Sequence, residues 1–158
     1  MGLTWILTQQ AVPTVGTSVY APIQWSGNYT QTLTPGFATD LVIQNTDINA
    51  AGVSGFYWGG RLQGGSKYLT SVTTAAEGTF YSWGFDGTTG TFTQNLTSGT
   101  LGNSIDYFIK RAPSVFDMVL YTGTGSATTF SHNLAVVPEL MIVKVRDSAT
   151  NWTVYSAA

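Results

Sequence analysis

The side chains able to act in catalysis are few and lie far apart in this sequence. His132 is the single histidine and follows Ser131, but neighbouring residues of a strand point to opposite faces, so the pair does not indicate a nucleophile–base dyad. The chain has no cysteine, which excludes thiolate catalysis, Cys-ligated zinc and a disulfide framework. We therefore interpret His132 as a structural or surface residue and predict no metal site.

The acidic residues could act in pairs, because glycosidic bonds are usually cleaved between two carboxylates. However, Asp40 and Glu139 each stand just before an apolar stretch at corresponding places, and Asp86 precedes Gly87 in a hairpin-type turn. These positions indicate structural roles. The remaining acids are Asp47, Glu77, Asp106, Asp117 and Asp147. We predict no catalytic residues, no cofactor and no enzymatic activity.

Phosphate and nucleic-acid binding also find little support. Residues 123–125 (GTG) lack the full GxGxxG pattern with a following helix, and turn glycines explain them better. The basic pairs Lys110-Arg111 and Lys144/Arg146 are interpreted as solvated strand ends. The net charge of −2 gives no electrostatic basis for binding nucleic acid or anionic lipid.

Composition favours a protein that packs into an assembly or faces an extracellular medium. Only 9% of the 158 residues are charged, against roughly 25% in average soluble domains. The apolar runs fall far short of the ~20 residues of a membrane helix, and the N-terminus lacks the basic and apolar regions of a signal peptide. We predict no membrane partner and no secretory route.

Aromatic residues make up 13% of the chain and form its most informative group. Most alternate with polar residues, which is typical of packing between sheets. Some of Trp25, Tyr57, Trp58 and Tyr155 are candidates for exposure, where they would stack on sugar rings or anchor a partner subunit. A host surface glycan is therefore a possible ligand.

Short alternating runs rich in Thr, Val, Tyr and Phe, separated by Gly, Asn and Pro, predict an all-β protein, a sandwich or a barrel. Residues 116–146 read as a strand, a glycine turn, a Thr-rich return strand, a proline-containing loop and an apolar strand. Residues 20–45 repeat this pattern less closely, with Gly27 aligned with Gly123 and Asp40 aligned with Glu139. We predict an antiparallel β-sandwich repeat with one full unit at residues 20–112 and a partial second unit at residues 113–158.

The incomplete second unit must pack on the first unit or on a neighbouring chain, because a repeat does not easily bury its apolar face alone. Residues 1–19 form a separate N-terminal arm, with an apolar strand at residues 3–8 and a linker at residues 9–18. The strand either extends the edge of the sandwich or docks on another subunit. The candidate interface residues are Leu3, Trp5, Ile6 and Leu7.

Several motifs occur in a fixed order between residues 20 and 158. The second unit carries YTGTG, HNLAVVPEL, a Lys-x-Arg and an Asn-Trp; the first carries WSGN at residues 25–28, PGFATDLV at 35–42, GGSKYLTSVTTAAE at 64–77 and KRAP at 110–113. This order resembles a β-domain repeat of unknown function found in tail-fibre-like and capsid-associated virion proteins of tailed phages, especially marine ones.

The resemblance implies a virion structural protein, of virion-proximal fibre or head-decoration type, whose partners are copies of itself and other virion proteins. The localisation expected from it is the virion, in its tail or its capsid. The alternative is a carbohydrate- or receptor-binding adhesion module that uses exposed aromatic side chains.

Overall fold

The computed structural model describes residues 2–7, 19–28, 30–46, 55–79, 82–95 and 100–157. This part of the chain contains strands and no helix, which confirms the predicted all-β class, and accordingly it holds no helix with the length and hydrophobicity of a membrane span. The strands are β1 (Gly2–Leu7), β2 (Tyr20–Asn28), β3 (Gln31–Leu33), β4 (Leu41–Thr46), β5 (Gly55–Gly60), β6 (Lys67–Thr70), β7 (Gly78–Thr79), β8 (Ser82–Phe85), β9 (Phe92–Asn95), β10 (Thr100–Ile109), β11 (Phe116–Tyr121), β12 (Leu140–Val145) and β13 (Thr153–Ser156).

The strands form three antiparallel sheets. The largest has six strands in the order β2-β10-β4-β5-β6-β7, a second has four in the order β11-β1-β12-β13, and a third has three in the order β3-β9-β8. Alternation along β4 places Val42 and Gln44 on one face of the six-stranded sheet and Leu41 and Ile43 on the other. Both faces of this sheet are therefore available for packing.

Two hydrophobic clusters occupy these two faces. On one face, Val42 and Phe108 pack with side chains of the three-stranded sheet, among them Phe92 and Trp83. The ring of Phe92 lies 5.1 Å from that of Phe108 in an edge-on arrangement. On the opposite face, Leu41, Leu69 and Ile109 pack with Phe116 and Met118 of β11. The six-stranded sheet thus lies between the other two sheets.

Two adjacent glycines of β5 let both outer sheets approach the central one. A Cβ atom added to Gly59 would overlap the indole ring of Trp83, and one added to Gly60 would lie 2.6 Å from Sδ of Met118. Successive strand residues point to opposite faces, so each glycine serves a different neighbouring sheet.

We expect Gly59→Ala to destabilise the protein by about 1–3 kcal/mol, because the added methyl group over-packs a core in which Trp83 is 3% exposed. The measurement is the midpoint of urea unfolding. Gly123→Ala is the matched control, since a Cβ added there meets nothing within 4 Å. Equal midpoints for the two variants would contradict this packing.

The N-terminal strand lies inside a sheet of its own chain. β1 pairs with β11 on one side and with β12 on the other over its whole length, from Gly2 to Leu7. The expectation that this strand extends an edge of the sandwich is therefore wrong. The predicted linker at residues 9–18 lies outside the described residues.

The four-stranded sheet and part of the six-stranded sheet share their strand order and register. In the six-stranded sheet, Ile109 of β10 is opposite Tyr20 of β2 and Leu41 of β4. In the four-stranded sheet, Leu7 of β1 is opposite both Phe116 and Leu140, the residues aligned with Tyr20 and Leu41 in the predicted repeat. β1 thus occupies the place in its sheet that β10 occupies in the other. The duplication that would explain this match stays a prediction.

Two local predictions were wrong. A glycine turn is expected at Ser26-Gly27-Asn28, where Gly27 aligns with Gly123, but these residues are part of β2, which continues to Asn28 beside an irregularity of β10. The Thr-rich return strand after Gly123 does not form, because residues 122–139 contain no strand. Phe130 in that segment stacks on Tyr121 with ring centres 4.1 Å apart, so the segment folds back on β11 through side chains instead of a backbone ladder.

Candidate functional site

The residues with catalytic potential do not converge in the part of the chain that the structure describes. Nδ1 of His132 accepts a hydrogen bond from the backbone N–H of Leu134 at 3.2 Å, which is a local turn contact. Asp86 accepts hydrogen bonds from Thr88 and Thr89 within its predicted turn. Among the described residues, no three His, Asp or Glu side chains form a group able to hold a metal ion. Asp47 lies outside the described residues.

Polar side chains converge instead where the four-stranded sheet meets the six-stranded sheet. We call this region the inter-sheet joint. Its first end consists of Asp40, Arg61, Arg111, Asp117 and Asn133, and its second end of Thr70, Thr74, Glu77, Lys144, Arg146 and Trp152.

Asp40 holds two separate segments at the first end of the joint. Its carboxylate, 4% exposed, binds the guanidinium of Arg61 in the turn after β5. It also accepts a hydrogen bond from the backbone N–H of Arg111 at 2.8 Å. A residue predicted as structural from its place before a strand therefore joins the end of β10 to the turn after β5.

Asp117 continues the same network and is 1% exposed. It binds the guanidinium of Arg111 and accepts hydrogen bonds from the backbone N–H groups of Met118 at 2.9 Å and Asn133 at 2.6 Å. Burial raises the pKa of Asp117, but the hydrogen bonds from Arg111, Asn133 and Met118 outweigh it and hold that pKa below its ordinary value. The carboxylate is thus charged and fully engaged.

The second end of the joint uses the Lys-x-Arg motif of β12. Lys144 is fully buried, and its Nζ atom donates hydrogen bonds to the carbonyl oxygens of Val145 at 3.0 Å and Thr74 at 3.3 Å. Burial lowers the pKa of Lys144. Arg146 forms an ion pair with Glu77, and both are largely buried. The interpretation of Lys144 and Arg146 as solvated strand ends was wrong, because the segment after β6 covers them.

Trp152 completes the second end. Its indole N–H donates a hydrogen bond to the carbonyl oxygen of Thr70 at 3.1 Å, and its ring centre lies 5.3 Å from that of Trp58 on β5. The sequence motifs at residues 64–77, 144–146 and 151–152 therefore meet in space. Their common role in the structure is to attach one sheet to another.

A third polar group lies in the other core, between the six-stranded and the three-stranded sheets. Asp106 and Gln44 are cross-strand neighbours with no exposed surface, and Nε2 of Gln44 donates to Oδ2 of Asp106 at 3.2 Å and to Oε1 of Gln94 at 2.7 Å. Burial raises the pKa of Asp106 to about 7, although hydrogen bonds from Gln44 and Trp25 act in the opposite sense. None of the described groups that raise or lower the pKa of Asp106 is a cation. The neutral, protonated form of its carboxyl therefore suits the site.

We expect stability to fall as the pH rises from about 4 to about 7. Folded Asp106 keeps its proton up to its raised pKa of about 7, whereas the unfolded side chain loses it near 3.8. The folded state therefore binds more protons in this window, and the contribution of Asp106 declines by at most about 1.4 kcal/mol per pH unit. The measurement is urea unfolding of the wild type and Asp106→Asn at pH 5, 6, 7 and 8.

Asp106→Asn keeps the shape of the protonated carboxyl and does not titrate. The free energy of unfolding of this variant should therefore change less with pH than that of the wild type. Subtracting one pH profile from the other cancels the contribution of every other titrating group. Parallel profiles for the two proteins would contradict a raised pKa at Asp106.

Some of the four aromatic side chains expected to include exposed ones are indeed exposed. Tyr155 is 52% exposed and Trp58 is partly buried, whereas Trp25 and Tyr57 are buried, at 7% and 9% exposure. Beside the second end of the joint runs an open groove of about 420 Å³. It is lined by Ser71, Val72, Thr73, Thr74, Asn151 and Trp152.

The interface residues predicted from the sequence all lie in β1. The backbone of this strand is paired on both sides within its own chain, and the side chains of Leu3, Trp5, Ile6 and Leu7 lie outside the described part. Contact of these residues with another subunit stays a prediction.

Sequence reasoning missed the roles of Arg61 and Gln44. Arg61 had a weak signal, as an isolated cation directly after Gly59-Gly60. Gln44 had a clearer one, since it shares a face with the apolar Val42, and a polar side chain on a buried face needs a partner.

The chain is similar to a known domain family over most of its length. Residues 26–158 match the model of a domain family described as a domain of unknown function, DUF7483. No curated protein and no solved structure matches the chain.

Proposed function

The chain belongs to the DUF7483 domain family, and we propose that it is a non-enzymatic structural protein of a tailed-phage virion. In this proposal it is a virion-proximal fibre or head-decoration protein that assembles with copies of itself and other virion proteins through β-strand contacts. The proposal starts from the ordered motifs that resemble the virion β-domain repeat.

One observation carries the proposal. The motif residues that a catalytic or ligand-binding domain would direct into a cleft are here engaged in holding two sheets together: Asp117 binds Arg111, Arg146 binds Glu77, and Trp152 binds Thr70. Motif residues that hold two sheets together favour a structural domain over a catalytic one. The low charge of the chain, 9% of its residues, suits a surface packed among other subunits.

The test is to look for the chain in particles of the phage that encodes it. Density-gradient-purified particles are analysed by quantitative mass spectrometry, and antibody labelling then locates the chain on head or tail. We expect the chain to co-band with particles in a fixed ratio to the major capsid protein. A chain that remains in the soluble fraction of the lysate and is absent from particles would overturn the proposal.

The groove beside Trp152 favours one second candidate, a carbohydrate-binding adhesion module. Ser71, Thr73, Thr74, Asn151 and Trp152 are among its lining residues, a mixture of hydroxyl, amide and indole side chains that suits a sugar ring. The test is a glycan array probed with wild type and Asn151→Ala, a variant that leaves the joint contacts of Trp152 in place. Glycan binding that Asn151→Ala abolishes would promote this candidate, and an array without signal would remove it.

A further inference from the structure

The four-stranded sheet ends in a strand with an open side. β13 pairs with β12 along one side, and no described strand pairs with its other side. All four of its residues, Thr153–Ser156, are exposed; Val154 is 61% and Tyr155 is 52% exposed. The strand contains no charge, proline or glycine. Natural proteins usually protect such an edge, because it is a template for pairing with another strand.

The other described sheet edges each carry a protective feature. β2 contains Pro22, and β3 and β7 are only three and two residues long. In β8, the backbone N–H of Trp83 already donates to the carbonyl oxygen of Gly65 at 2.5 Å. In β11, the N–H of Phe116 donates to the carbonyl oxygen of Ala112 at 3.1 Å, and the N–H of Met118 donates to its neighbouring carboxylate.

The corresponding position in the six-stranded sheet is occupied. Strand order and register place β13 where β5 lies in the other sheet, and the outer side of β5 is paired with β6 through Tyr57–Thr70 and Trp58–Leu69. The four-stranded sheet therefore stops at the equivalent of β5, two strands earlier than its counterpart, at the edge that lacks protection.

We propose that the outer edge of β13 pairs with β13 of a second copy of the chain, antiparallel and about a two-fold axis, so that two four-stranded sheets continue into one. The sequence of β13 is complementary to itself in this arrangement. The N–H of Ala157 donates to the carbonyl oxygen of Glu139 on the β12 side, so the backbone groups of Val154 and Ser156 point outward. These two residues then pair with each other across the axis, and Tyr155 of each copy lies opposite Tyr155 of the other, an aromatic pair. No like charges meet, because the strand has none.

The contact continues the β12–β13 ladder and is small. A four-residue strand pair buries far less than the roughly 1,600 Å² of a standard stable interface, so the pairing is reversible in solution. It gains strength when other contacts hold subunits side by side, since linked weak contacts raise each other's effective concentration. The inference rests on the proposed structural role, to which it adds a subunit contact.

The experiment is sedimentation velocity of the purified chain over a concentration series. We expect the wild type to shift from monomer towards dimer as concentration rises, and the variant Val154→Glu/Tyr155→Glu to stay monomeric, because the carboxylates introduced at position 155 of the two copies then face each other. Val137→Glu is the matched control: Val137 is an exposed valine, 85%, outside any strand, so this variant should dimerise like the wild type. Circular dichroism verifies that all three proteins are folded.

Charge exchange tests the register. Tyr155→Glu alone and Tyr155→Lys alone should each weaken dimerisation, and mixing the two should restore it, because the carboxylate introduced into one copy then faces the ammonium group introduced into the other. A wild type that is monomeric at every concentration, or a dimer that persists in Val154→Glu/Tyr155→Glu, would overturn the proposal. A monomeric chain still present in particles would overturn this contact alone, whereas absence from particles would overturn the virion role whether or not the chain dimerises.

Discussion

Removal of residues 1–7 should unfold the four-stranded sheet. β1 lies between β11 and β12 and forms a backbone ladder with each along its six residues. Each net hydrogen bond contributes about 1 kcal/mol, so loss of both ladders costs on the order of 5 kcal/mol or more, which approaches the whole stability of a domain. We expect loss of strand signal in circular dichroism and proteolytic cleavage within residues 113–157.

A point variant separates loss of pairing from loss of chain length. Thr4→Pro removes a ladder hydrogen bond from a strand that is paired on both sides, so it should be nearly as damaging as the deletion. Thr153→Pro is the matched control, because it places proline at the first residue of the edge strand β13, where proline is tolerated. A truncated protein with the melting temperature of the wild type would contradict the central place of β1.

Asp117→Ala should be the most damaging single substitution in the inter-sheet joint. It removes a carboxylate that is 1% exposed and leaves the Arg111 guanidinium and two backbone N–H groups without their acceptor. Breaking a buried ion pair from one side costs about 3–5 kcal/mol. The measurement is urea unfolding at pH 7, with Asp86→Ala, an exposed turn carboxylate, as the control expected to lose far less stability.

The pH dependence of this effect has a defined sign. The pKa of folded Asp117 lies below its ordinary value of 3.8, so its stabilisation is present above about pH 4 and is lost as the pH falls through the folded pKa. The difference in stability between the wild type and Asp117→Asn should therefore shrink in acid. A difference that is constant from pH 7 to pH 3 would show that Asp117 is not held as a charged group.

The strand pattern could be predicted from alternation, because the pattern follows from which side chains are buried. Residues 116–121 place Phe116, Met118 and Leu120 at every second position, residues 41–46 begin with an apolar run, and both segments are strands. The prediction failed where polar composition left several conformations open: the Thr-rich segment after Gly123 looked like a return strand, but Phe130 packs on Tyr121 without backbone pairing. Local pattern does not determine long-range pairing.

The inter-sheet joint could not be predicted, although each of its motifs was visible. Lys144 and Glu77 lie far apart in the sequence, and only the stacking of one sheet on another brings the segment after β6 over β12. The central position of β1 in its sheet could not be predicted for the same reason, since nothing local in residues 2–7 distinguishes an edge strand from a central one. Comparison of the two sheets reveals it, because Leu7 and Ile109 hold equivalent register positions.

The central claim is that the N-terminal strand completes the second sheet within its own chain. The most direct measurement uses Thr4→Cys/Val143→Cys in a chain that has no cysteine of its own. Positions 4 and 143 are opposite each other in the β1–β12 ladder, where the Cα separation of ~4.5–5.5 Å suits a disulfide. Oxidation in dilute solution should give a cross-linked monomer on a non-reducing gel. Free thiols, or a disulfide formed only between two chains, would contradict the claim.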